Sequence, residues 1–353
     1  MTPDLVDVVA AGDRSLEPRH AGPVLVTGPD RSGTTLMFAL LASHPELCMV
    51  RRTNLWRWFD GRYGDLADAA NLERCLDDLV AYRRMAHLQP DRERLRDEMR
   101  DGPATYGRLF ELVMRHHAER AGASRWGDKS LHTEHHADRV FAAFPDARMI
   151  HMLRDPRDRY ASVRRRGGND VRRVGAAAGR WRASTRAAER NRQRHPDRYL
   201  VVRYEDLVHQ PETTMRRVCD FIGEDYTPAM LTMGGAPSHR EAGANSSFGD
   251  VEAGTISTRA TGRFHRVLSP VEIACIQVLL GRAMRRVGYP PVPVRLDRGQ
   301  QLRLLARDLP MHAVRMVGWT VTEAVRRRVP GRRVPAARMR DHGPAGQGTE
   351  HDG

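Results

Sequence analysis

The chain has 353 residues, enough for one large core or for one core with appendages. Its formal charge of +14, mostly arginine, favours anionic ligands, whereas 6% aromatic residues and no reading motif argue against a nucleic-acid binder. Four scattered cysteines (Cys48, Cys75, Cys219, Cys275) without C-x-x-C spacing suggest neither a zinc site nor a disulfide framework, and no apolar run of about 18 residues predicts a membrane span.

Residues 1–21 read as a loose leader; they carry acids and lack the apolar run of a signal peptide. An apolar strand, Val24-Leu25-Val26, then leads into Gly28-Pro29-Asp30-Arg31-Ser32-Gly33-Thr34-Thr35 and a helix from Leu36 to Leu41. Strand, glycine loop and helix together form a phosphate cradle: glycines let backbone N–H groups approach an anion, and the helix N-terminus adds a positive dipole end. The spacing follows G-x-x-x-x-G-K-[ST] except that Thr34 stands where the lysine belongs. A nucleoside triphosphatase needs that lysine on its β and γ phosphates. Here the nearby cation is Arg31, whose planar guanidinium suits a phosphate or sulfate.

Leu66, Ala69, Leu72, Leu76 and Leu79 recur at helical spacing, so 65–121 reads as helices, broken at Pro90 and at Gly102-Pro103. A second α/β unit starts near Trp126-Gly127-Asp128-Lys129, continues through a helix over 133–144 and reaches a strand over 148–153. The next helix opens on Asp155 as cap and Pro156 in its first turn. Arg154 ends the strand at the sheet edge where ligands bind in such folds. Ser162 lies about two turns into the helix and can face the same side, so the pair can grip a second phosphate. A helix over 176–194 precedes a third strand, 199–202. Residues 232–262 are rich in Gly, Ser and Thr and read as a long loop. Ser269-Pro270-Val271-Glu272 is a capping box opening another helix. Strands alternating with helices predict an α/β fold with a parallel sheet covered on both faces.

The C-terminal part is different. Residues 303–328 read as a basic, partly amphipathic helix interrupted or kinked at Pro310, and arginine-rich residues 326–340 follow. Two readings stay open: a helix packed on the domain, or contact with an anionic membrane surface. Residues 341–353 are expected to be disordered.

With both anchors in place, the chain resembles the sulfotransferases that use 3′-phosphoadenosine 5′-phosphosulfate, and is similar to their bacterial branch and tyrosylprotein relatives. Residues 22–295 would be a single sulfotransferase domain with a P-loop-type sheet and a helical insert, and 296–340 a helical extension. The resemblance implies that Arg31, Ser32, Gly33, Thr34 and Thr35 bind the 5′-phosphosulfate. Arg154 and Ser162 would hold the 3′-phosphate, Tyr204 in Val202-Arg203-Tyr204-Glu205-Asp206-Leu207 would lie near the adenine, and Arg263 in the late loop would contact a phosphate. Lys129, within Trp126-Gly127-Asp128-Lys129-Ser130, would sit near the transferring sulfuryl group. No metal is expected, since no clustered ligand set stands out.

One departure matters. Tyrosylprotein relatives place a glutamate, the proposed general base, where this chain has Arg51-Arg52-Thr53-Asn54. An acceptor hydroxyl must lose its proton, so the base is sought among Asp60, Glu73, Asp128, His132 and His135, with His132 first because it lies three residues from Lys129. The acceptor stays open: carbohydrate, glycolipid, small natural product or protein tyrosine. The competing readings are an inactive nucleotide-binding relative and a P-loop kinase. The cysteine usage suits a cytoplasmic protein, with peripheral membrane contact through the basic helix as the alternative reading of the tail.

Overall fold

The computed structural model describes residues 22–165, 174–241, 252 and 254–328. Helices of seven or more residues are numbered below, and shorter turns are given by residue. Five parallel strands form one sheet in the order β2-β3-β1-β4-β5. They are β1 (Val24–Thr27), β2 (Leu47–Arg51), β3 (Arg125–Lys129), β4 (Arg148–Leu153) and β5 (Tyr199–Arg203). β1 and β4 are buried at every position, as a central strand covered by helices on both faces must be.

The helices are α1 (Thr34–Leu41), α2 (Ala69–Ala81), α3 (Arg92–Arg100), α4 (Tyr106–Arg120), α5 (Ala137–Ala143), α6 (Pro156–Arg165), α7 (Val174–Arg194), α8 (Pro211–Ile222), α9 (Pro270–Arg286) and α10 (Leu309–Arg328). α2, α3 and α4 make up the helical insert. Asp68, Asp91 and Thr105 cap them by accepting backbone N–H bonds. The capping box at Ser269 and Glu272 opens α9 as the sequence predicts.

Several elements differ from expectation. β2 has no counterpart in the sequence reading, because only Leu47 and Val50 of its five residues are buried and so its signal is weak. The helix expected over 133–144 splits into a 3-10 turn, Thr133–His135, and α5. The break falls at His136, whose φ of −113° and ψ of 12° lie outside the helical region. The long loop contains helical turns at Pro237–Glu241 and Thr258–Ala260; residues 242–251 and 253 lie outside the described residues. The C-terminal helix starts earlier than expected, at Arg298 behind an Asp297 capping box. Pro310 does not interrupt it, because a π turn over Leu304–Asp308 precedes α10 and absorbs the proline. The leader, residues 329–340 and the expected disordered tail all lie outside the described residues.

The first glycine of the cradle depends on a close approach. Gly28 has φ +133°, and a Cβ there would stand 2.4 Å from the Met152 carbonyl oxygen on β4. Neither the backbone angle nor the neighbour can yield cheaply. Gly28→Ala is expected to cost about 3 kcal/mol of stability, visible as a lowered midpoint in urea unfolding. A midpoint equal to that of the parent protein would show that β1 and β4 separate more easily than this packing implies.

Candidate functional site

The parallel register places the ends of all five strands on one edge. Val26 of β1 is level with Lys129 of β3, which is level with Arg51 of β2; Thr27 is level with His151 of β4, and Leu153 with Arg203 of β5. Lys129, Arg51, Arg154, Tyr204 and the glycine loop therefore gather at the carboxyl edge, where open parallel sheets hold their ligands.

The loop is held by groups distant in sequence. Arg31 adopts a left-handed φ of 63°, and its Nε donates to Ser162 Oγ at 2.9 Å. Arg154 donates to the Arg31 carbonyl at 3.0 Å and to the Ala260 carbonyl at 2.7 Å. Its guanidinium lies 4.4 Å from the centre of the Tyr204 ring. Tyr204 is buried and packs against Gly33, where a Cβ would meet the ring at 2.4 Å. The structure thus brings Arg31, Gly33, Arg154, Ser162 and Tyr204 together. Tyr204 shows the cradle its buried ring, however, and not an open stacking face. Thr34 is buried in the first turn of α1 and Thr35 is half-buried beside it.

Asp30 is a fixed part of the loop. Arg159 of α6 donates to both its carbonyl and its carboxylate, and Arg180 of α7 adds a second ion pair at 3.3 Å. Burial opposes ionisation, but Arg159 and Arg180 hold the Asp30 carboxyl well below the usual range. Asp158 ties down the late loop by accepting from the Gly262 and Phe264 N–H groups at 2.7 and 2.8 Å. Arg263 lies between them and lines a cleft with Arg259, Thr261, Gly262 and Arg266. Arg154 reaches the same segment through Ala260, so the second anchor opens beside a basic cleft.

One cradle atom lacks a protein partner: Ser32 is fully buried and its Oγ makes no hydrogen bond. Such a hydroxyl costs free energy unless a ligand oxygen completes it. The fit to a phosphosulfate rests on this atom, the two constrained glycines and the surrounding cations.

Lys129 is buried at the end of β3. Burial, together with the Arg52 and Arg51 charges, pushes its ammonium down to about 7. Asp128 faces the other way: Oδ2 accepts from Thr53 and Ser130 hydroxyls at 2.6 and 2.7 Å, and Ser130 Oγ receives the Asn54 N–H. Burial raises this carboxyl to about 6. Asp128 thereby fixes the Arg51–Asn54 turn beside Lys129.

The histidines separate. The charges acting most strongly on His132 belong to Glu134, Arg57, Glu323 and Arg180; those on Lys129 belong to Arg52, Arg51, Asp128 and Arg84. His132 also acts on Asp30 of the cradle, so the left-handed turn at His132 gives it other charged neighbours than Lys129 without taking it away from the loop. Asp60 is engaged by Arg139, and Glu73 by Arg92 and Arg96. A histidine the sequence did not single out stands with Lys129 instead. His239, on the Pro237–Glu241 turn, has a buried Nε2 without a hydrogen-bond partner. Burial and the charges of Arg51 and Lys129 push its imidazole down to about 4, so it is neutral at pH 7. The sequence signal was hidden in the 232–262 loop; Gly235, whose absent Cβ would strike the Ala42 carbonyl oxygen at 1.8 Å, lets that loop press against the end of α1.

Glu134 was likewise unforeseen. It is fully buried and accepts from Thr27 Oγ1 and from Ser184 Oγ at 2.7 Å. Ser184 continues to His151 at 3.1 Å, and His151 to Tyr199 at 2.6 Å. Burial opposes its ionisation, yet His135, His151 and His132 keep it well below the usual range. The sequence reading found no clustered ligand set. The 3-10 turn gathers one: ligand atoms of His132, Glu134 and His135 lie within 4.8 Å of one another. Both Glu134 oxygens are already occupied by hydroxyls.

A glycine cradle at the carboxyl edge of a parallel sheet, with a second cationic anchor after the neighbouring strand β4, defines an α/β protein of P-loop architecture. The chain belongs to the sulfotransferase family, whose model matches residues 23–228. A protein-tyrosine sulfotransferase of Drosophila melanogaster is 26% identical over 221 residues, 59% of this chain and 39% of that protein. Carbohydrate sulfotransferase 2 of Mus musculus is 34% identical over 111 residues, 31% of this chain and 20% of that protein. The chain spans less than half the length of these relatives. Among solved structures, a sulfotransferase domain from the curacin biosynthetic pathway aligns with a TM-score of 0.49 at 19% identity, covering 75% of this chain and 98% of that domain.

Proposed function

We propose that this chain transfers the sulfuryl group of 3′-phosphoadenosine 5′-phosphosulfate to a hydroxyl or amine acceptor. The observation that carries this reading is the convergence of Arg154, Ser162 and Arg31 on one loop. That arrangement offers two linked anion sites, a 5′ cradle and a basic 3′ cleft. Family membership of residues 23–228 supports it, as does the missing cradle lysine, which disfavours a kinase.

In this reading the acceptor oxygen attacks sulfur in line. The new O–S bond forms as the bond from sulfur to the bridging phosphate oxygen breaks, and adenosine 3′,5′-bisphosphate leaves. Negative charge grows on the bridging oxygen, and in this reading Lys129, Arg31 and the loop N–H groups stabilise it. The acceptor proton passes to His239 Nε2, which takes the place sought for His132. Relatives named for protein tyrosine and for carbohydrate make a hydroxyl the first choice of acceptor. All four cysteines are free thiols, which suits a reducing compartment such as the cytoplasm.

The direct test is transfer of labelled sulfate from the donor to a panel of phenols and glycans. Label moved to an acceptor supports the reading; bound donor with no transfer to any acceptor points to the inactive relative. His239→Gln is expected to lower kcat about 100-fold with little change in bisphosphate affinity. An unchanged kcat would remove His239 from the scheme.

A further inference from the structure

The C-terminal helix is amphipathic the wrong way round. Its inner face carries Asp308, His312 and Glu323 beside Leu304 and Met316, all buried. Its outer face carries Leu302, Leu305, Val314, Val317, Val321 and Val325, each more than half exposed and Val314 at 72%. The π turn makes this a single stripe. The steps along it are 302, 305, 310, 314, 317, 321 and 325, and the one step of five falls where the helix widens, with exposed Pro310 in the gap. Without the extra residue of that turn, the two halves of the stripe would point about 100° apart.

The helix cannot roll to hide the stripe. A Cβ on Gly175 of α7 would stand 2.1 Å from the His312 carbonyl oxygen, and one on Gly179 would stand 3.1 Å from that of Met316. The two backbones are therefore in close contact. Arg180 lies 5.7 Å from the Trp319 ring and reaches Asp30 of the cradle, and Glu323 pairs with Arg57 at 3.8 Å. The inner face is committed to the body of the protein, and the outer face is left to meet something apolar.

Charge selects what that is. Arg303, Arg307 and Arg315 are exposed on the same helix. The only carboxylates between 298 and 325 are Asp308 and Glu323, both buried; Asp308 pairs with Arg303 at 3.5 Å, which leaves Arg307 and Arg315, of these three arginines, as exposed cations without a carboxylate from this helix. The sequence then runs through seven arginines and no acid between 326 and 340. A second copy meeting this face about a two-fold axis would set arginine against arginine. An anionic lipid surface accepts both the apolar stripe and the cations. No described helix is long and apolar enough to cross a membrane, so the contact lies in the plane of the surface.

We infer that residues 298–325 dock the enzyme on an anionic phospholipid surface, with the valine stripe entering the headgroup boundary. The inference stands apart from sulfuryl transfer, since it uses no donor-site residue. The test is flotation of the full chain with phosphatidylcholine vesicles, with and without phosphatidylglycerol, beside V317E/V321E and R307E/R315E. Both variants change exposed residues, and bisphosphate titration and thermal melting check that the fold is kept. The expected result is binding to the anionic vesicles only, weakened by salt, and at least tenfold weaker in each variant. Equal binding by parent and variants, or none by the parent, overturns the inference. So does a parent dimer in sedimentation that V317E/V321E converts to monomer without any vesicle binding; the face would then be a contact between copies.

Discussion

Arg154→Ala is expected to lower affinity for adenosine 3′,5′-bisphosphate by roughly 100-fold, about 3 kcal/mol, in calorimetric titration, while weak binding of ADP changes little. Two effects add. The variant removes a cation from the edge of the basic cleft, and it releases the carbonyls of Arg31 and Ala260 that Arg154 holds together. The Arg31 side chain then loses the support that aims it at Ser162. Arg154→Lys restores charge but not the two-pronged bridge, and is expected to recover only part of the affinity. If Arg154→Ala bound the bisphosphate as tightly as the parent, the second anchor would be a structural clasp alone. Equal affinity of the parent for ADP and the bisphosphate would withdraw the 3′-phosphate assignment.

If transfer proceeds as proposed, Lys129→Met is expected to lower kcat by roughly 100- to 1000-fold, because it deletes the cation which that scheme sets against the developing charge. Its ionisation also sets a pH limit. Burial and the nearby Arg52 and Arg51 lower the ammonium to about 7 in the free protein. The useful form is protonated, so kcat/KM, which reports the free enzyme, should fall as pH rises through about 7. Lys129→Arg stays charged and should move that limb to higher pH, even at reduced rate. A limb unmoved by this change would assign it to another group. Bisphosphate binding should also take up a proton near pH 7, read as a dependence of the calorimetric heat on buffer ionisation. That uptake should vanish in Lys129→Met.

Much of the scaffold is legible from residue order because its signals are local. An apolar strand, two glycines five apart and the Ser269 box each declare themselves within a few residues. Asp155 and Pro156 mark the start of α6 in the same way. β2 escaped because a half-exposed strand of five residues has neither alternation nor a continuous apolar run. The split at His136 and the π turn before Pro310 escaped because both are single-residue departures from a repeat that otherwise continues.

The site was legible in part, and the boundary is physical. Residues after strand ends and in the glycine loop follow from the α/β pattern, so Arg31, Arg154 and Ser162 could be picked out from the sequence, and Lys129 through the family resemblance. Groups whose meaning lies in distant partners could not. Arg159 reads as one arginine among many until it reaches Asp30, and Glu134 reads as a surface acid until Thr27 and Ser184 close over it. His239 sits 110 residues from Lys129 in a segment without periodicity, and only the approach of its loop to the sheet edge brings the two together. Likewise, charge and composition mark residues 303–328 as a basic helix, yet which face of it is free depends on Gly175 and Gly179 of α7. Chain order carries periodicity, turn chemistry and the spacing of the phosphate cradle, which are properties of neighbours. Ionisation, burial and the direction of a face are properties of encounters between remote segments, and these exist only once the sheet has formed.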